Sequence, residues 1–82
     1  MITSAQVRAA RAFLRWSALD LAQKTGIGVA TIRRIDMSEG VPSSNAKTLD
    51  LIQKVLESEG IEFVGTPENS PGVRFSAKIK DK

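Results

Sequence analysis

Two arginines stand side by side in the stretch VATIRRIDM, Arg33 and Arg34, and they carry the most definite chemistry in this chain. A guanidinium is a planar fork of donors. It can engage the O6 and N7 of guanine together, pair with a phosphate, or simply solubilise a helix face. Catalysis has no comparable candidates. The 82 residues include no histidine and no cysteine, which removes the usual general base, thiol chemistry, disulfide staples and zinc sites built on those ligands. Asp20, Asp36, Glu39 and Asp50 show no metal-ligand or acid/base spacing, and no nucleophile is accompanied by a base. The expectation is a protein that is not an enzyme, with no cofactor and no metal.

Hydrophobic residues make up 41% of the chain and charged residues 26%, the balance of one small folded domain. Twelve Lys and Arg against nine Asp and Glu leave a net charge of +3, which permits a polyanionic partner. The opening residues MITSAQVRAARAF lack a charged leader followed by an apolar run. No apolar segment approaches the roughly 18 residues of a membrane span. A cytoplasmic protein with no membrane partner is expected.

The arginine pair needs a scaffold, and helix start signals supply one. Thr3 and Gln6 in T-S-A-Q have capping-box spacing, flanked by Ile2 and Val7 as a staple. Val7, Ala10 and Leu14 then share a face. Ser17 and Asp20 repeat the box, with Trp16 and Leu21 as their staple. A third start falls at Gly28 and a fourth near Asn45, whose helix turns Leu49, Ile52, Val55 and Leu56 inward and ends at Gly60. Beyond Gly60 the period changes. IEFV reads as a short strand, GTPENSPG as a loop, and VRFSAKIK alternates as a half-buried strand.

The segment LAQKTGIGVATIRRI is interrupted by Gly26 and Gly28, each costing about 1 kcal/mol against alanine inside a helix. The interruption makes sense as a turn: one helix ends at Thr25, Gly26 supplies a positive φ, Ile27 plugs the corner, and a second helix runs from Gly28 to Met37. Two short helices joined this way form a helix-turn-helix, which sets one exposed helix at the angle of a DNA major groove.

The stretch WSALDLAQKTGIGVATIRRID, with Leu21-Ala22, Gly26-Ile27, Ile32 and Asp36 in register, resembles the helix-turn-helix of phage-repressor (Cro/XRE-type) DNA-binding proteins. The resemblance covers about the first 60 residues. It implies a mainly α fold: a four-helix phage-repressor-like helix-turn-helix DNA-binding domain over residues 1–60. A C-terminal β-hairpin or strand segment, residues 61–82, would follow as a dimerisation segment with a flexible tail. By the same resemblance residues 28–37 would be the recognition helix, Ser17 and the adjoining helix start would hold a phosphate, and Asp36 would pair with Arg11. Three positions depart from the family pattern. Ala18 replaces a phosphate-clamping glutamine, Gly28 replaces a serine or threonine cap, and SEGVPSS carries Glu39 and no basic residue.

With Ile32 and Ile35 inward, a rotation of 100° per residue turns Ala30, Arg33, Arg34 and Met37 outward, with Val29 on the shoulder. Val29 and Ala30 are then candidates for thymine methyl contact, and Arg34 and Arg33 for base contact. Ser17, Gly28, Ser43, Ser44 and Lys47 are the phosphate candidates, and Arg11 with Asp36 a structural ion pair. The expected function is sequence-specific binding of double-stranded DNA in transcriptional regulation, on a palindromic operator. The expected state is a homodimer joined through Ile61, Phe63, Val73, Phe75 and Ile79. The alternatives are a protein-interaction adaptor, or an antitoxin-like module that also binds a partner protein such as a toxin.

Overall fold

The structure, a computed structural model, describes residues 1–76. Helix α1 (Ser4–Leu14) starts from a closed capping box: Thr3 Oγ1 accepts from the Gln6 amide at 3.1 Å, and Gln6 Oε1 accepts from the Thr3 amide at 2.8 Å. Helix α2 (Ala18–Thr25) starts the same way on Ser17 and Asp20, at 3.0 and 2.8 Å. It stops at Gly26, whose φ of 78° is the left-handed geometry a side chain resists. Helix α3 (Val29–Met37) follows from Gly28 with no side-chain cap. Helix α4 (Ala46–Ser58) begins where Asn45 Oδ1 accepts from the Thr48 amide at 2.8 Å.

Each helix sends an apolar stripe to one core. Val7 and Ala10, Leu21 and Ala22, Ile32 and Ile35, and Leu49, Ile52 and Leu56 are buried there with Ile2 and Ile61. Leu21, Ile32, Ile52 and Leu56 lose all solvent contact, each stabilising the fold by about 1.5–3 kcal/mol. Leu14, Trp16 and Ile27 close the rim.

Strands β1 (Ile61–Thr66) and β2 (Asn69–Phe75) form an antiparallel hairpin in which Ile61 faces Phe75 and Phe63 faces Val73. GTPENSPG, expected as a loop, is therefore mostly strand, with only Pro67 and Glu68 between the two strands. Its pairing shifts register between Val64 and Thr66. Gly65 at φ 77° and Ser70 at φ 56° absorb that irregularity, and a Cβ on Gly65 would collide with the Ser70 carbonyl. Arg74 pairs with Glu62 across the strands at 2.7 Å. Its hydrogen bonds and charge hold the Glu62 carboxyl below the usual range, and full exposure keeps the contribution to stability small.

Four helices followed by a two-stranded antiparallel hairpin fit a mainly α chain with a C-terminal hairpin, and the expected fold class is corrected where it named a phage-repressor-like helical domain. A separate helical domain with a β extension appended to it does not describe the molecule. Ile61 is 3% exposed inside the helical core, and Phe63, Val73 and Phe75 are half-buried against it. Phe75 stacks on Phe13 of α1 with centroids 5.7 Å apart. Gln6 of α1 donates through Nε2 to the carbonyls of Val64 at 3.1 Å and Gly72 at 2.9 Å. Four helices and a two-stranded hairpin thus share one core, which a free hairpin of this size would need for stability in water. Of the apolar face assigned to a second chain, Ile61 is taken up wholly by the chain's own helices, and Phe63, Val73 and Phe75 in part. Ile79 lies outside the described residues.

Candidate nucleic-acid interface

Helix α3 is fixed from beneath by Ile32 and Ile35, at 0% and 2% exposure. It is also fixed at its C-terminal end, by polar side chains of α1 spaced one turn apart. Ser4 Oγ donates to the Ser38 carbonyl at 2.6 Å, and Arg8 Nη1 to the Asp36 carbonyl at 2.5 Å. Arg11 Nη2 meets Asp36 Oδ2 at 2.6 Å and its Nη1 donates to the Trp16 carbonyl at 3.1 Å. Two guanidinium groups at a helix C-terminus also suit the negative end of its dipole. The Arg11 and Asp36 side chains are only 16% and 15% exposed. Arg11 Nε and Asp36 Oδ1 are buried and have no hydrogen-bond partner among the described residues. The structure thus brings Arg11 and Asp36 together as a half-buried pair joining α1 to α3.

The opposite face of α3 is a shallow groove lined by Ala30, Arg33, Arg34, Met37 and Ser38. Ala30, Arg33 and Arg34 are exposed there as neighbours. Val29 separates from them: it is half-buried and packs against the core, so it is not part of this face. Met37, absent from the base-contact candidates, is 83% exposed. Helical rotation places it outward, and that was the signal available for it. The part played by Arg8 had no such signal, because it depends on where α1 crosses α3.

The phosphate candidates are more scattered. Ser17 is exposed, but its hydroxyl and the carboxylate of Asp20 already serve the first turn of α2, which places a negative charge where a phosphate would approach. Gly28 is exposed at the start of α3. Ser43 and Lys47 are exposed and Ser44 is half-buried, its amide donating to the Pro42 carbonyl at 3.0 Å. Lys24 Nζ lies 5.4 Å from the centroid of the half-buried Trp16 ring, a cation–π contact that ties the lysine to the scaffold. Among the described residues no group of three or more acidic side chains gathers as a metal site, and no helix is long and apolar enough to cross a membrane.

No family model, no curated protein and no solved structure matches the chain. The phage-repressor-like fold expected from the sequence motif is corrected to the architecture observed, four helices and an antiparallel hairpin around one core.

Proposed function

We propose that this protein binds double-stranded DNA sequence-specifically and acts in transcriptional regulation, with α3 in the major groove. One observation carries the reading. The exposed face of α3 presents two adjacent arginines between Ala30 and Met37, on a helix held rigidly underneath and at one end. Arginine forks and small apolar groups are the contacts that read base edges. The acidic residue of this helix, Asp36, is turned away to Arg11.

A helix of nine residues is about 13 Å long at 1.5 Å per residue, enough for only a few base pairs. Two copies on half-sites one helical turn apart multiply such contacts, so the active form is a homodimer. Since the helices take up much of the hairpin's apolar face, the copies meet through the strand edges as well as what remains exposed of that face.

The carboxylate of Asp20 at the start of α2 and Glu39 beyond α3 favour a second reading, a protein-interaction or antitoxin-like module. Selection from a random duplex pool, followed by mobility-shift titration at several salt concentrations, separates the two. DNA binding gives a selected consensus and a steep log–log salt dependence. A pool that returns no consensus, with no salt-dependent shift, rejects the DNA reading.

A further inference from the structure

Within its own bounds, the outward face of α3 has donors and apolar groups but no acceptor. Within Val29–Met37 only Thr31 and Asp36 carry side-chain oxygens. Asp36 Oδ2 is held by Arg11 at 2.6 Å, and Oδ1 is buried. Thr31 is half-buried on the flank, away from the outward set. What remains outward on the helix is Ala30, Arg33, Arg34 and Met37, and Ser38 just beyond its end lies in the same groove with its hydroxyl donated to the Arg34 carbonyl at 3.0 Å.

The major groove sorts bases by the same chemistry. Guanine offers two acceptors, N7 and O6, and thymine offers the O4 acceptor and a 5-methyl group. Adenine adds one acceptor, N7, which cannot engage both prongs of a guanidinium as guanine does, while its 6-amino group and the 4-amino group of cytosine are donors that require an acceptor from the protein. We infer that α3 identifies each base pair through its keto base alone, guanine by Arg33 or Arg34 and thymine by the apolar groups of Ala30 and Met37. It leaves the amino groups of adenine and cytosine untouched. This rests on the DNA reading above and narrows it: the ligand is a duplex whose guanine N7 and thymine methyl groups are exposed, and amino-group modification does not mask it.

The test is made on the selected half-site with single-base analogues that keep Watson–Crick pairing. Replacing a contacted guanine by 7-deazaguanine should weaken binding about tenfold or more, and replacing a contacted thymine by uracil several-fold, on the order of 3–5. N6-methyladenine or N4-methylcytosine at any position of the half-site should change affinity by less than about twofold. One of the two variants Arg33→Ala and Arg34→Ala should remove the 7-deazaguanine effect, and Met37→Ala or Ala30→Gly should reduce the uracil effect; persistence of both effects in all four variants overturns the inference. A tenfold loss with either amino-methylated base overturns the inference while leaving DNA binding intact, as does indifference to both 7-deazaguanine and uracil. A pool that yields no selected sequence overturns the DNA reading itself and the inference with it.

Discussion

The side-chain amide of Gln6 lies 2.9 Å from the carbonyl of Gly72, joining residues 66 apart in the chain. The same side chain also serves Val64 and the Thr3 amide and is 4% exposed. Gln6→Leu strands the buried Thr3 amide, at about 1–3 kcal/mol, and two part-buried carbonyls at less. Gln6→Glu keeps the capping bond but turns a carboxylate toward two carbonyls. Burial and those carbonyls raise the new acid's pKa in the fold, so its penalty grows as pH rises and shrinks on acidification, when the protonated acid regains a donor. Thermal midpoints of wild type and Gln6→Glu should differ more at pH 7 than at pH 4. Equal differences at the two pH values would show that residue 6 is not confined against the hairpin.

Arg11→Ala should destabilise the protein by about 3 kcal/mol, because it leaves the Asp36 carboxylate half-buried without its partner. Replacing Arg11 and Asp36 together by apolar residues of similar size should cost clearly less. Urea denaturation of the single and double variants tests this, and a double variant no more stable than Arg11→Ala would contradict it.

Arg15 ends α1 in the left-handed region at φ 59° and is exposed. A non-glycine residue there costs about 1 kcal/mol. Arg15→Gly should therefore raise stability by about 0.5–1 kcal/mol, a gain of roughly 2–8 °C in Tm for a domain of this size. Calorimetry reads the shift directly. No gain, or a loss, would mean that the arginine side chain stabilises the turn in some other way.

For function, Arg34→Ala should cost about 1–3 kcal/mol on the selected DNA and relax preference at one base position. Non-specific binding should change much less. If the variant ranks every single-base change as the wild type does, Arg34 does not read a base.

Features carried by neighbouring residues were legible before the structure. The boxes at Thr3/Gln6 and Ser17/Asp20, the cap at Asn45 and the positive φ at Gly26 are local chemistry, and they set α1, α2, α4 and the turn before α3. The phase of β2 was legible to the same degree, with Val73 and Phe75 packed and Arg74 out. What depends on distant partners was not. The Pro- and Gly-rich GTPENSPG looked like a loop because strand continuation there needs the paired irregularities at Gly65 and Ser70. The second duty of Gln6 and the fate of the hairpin's apolar face both follow from where α1 crosses the strands. Arg33 and Arg34 were found from rotation alone, while the withdrawal of Val29 into the core required the tilt of α3.

The two ends of α3 are treated differently. Its C-terminal carbonyls are gripped by Ser4 and Arg8, while its first turn springs from a glycine with no side-chain cap. Within α3 the first-turn amides should exchange with solvent before those near Ser38, since no side chain caps them. Polar anchoring is thus concentrated at the Ser38 end, near Arg34 and Met37, while Ala30 lies at the end held by packing alone. In the proposed complex, Arg34 and Met37 would then set the register on the better anchored end, and the turn around Ala30 would be where adjustment costs least.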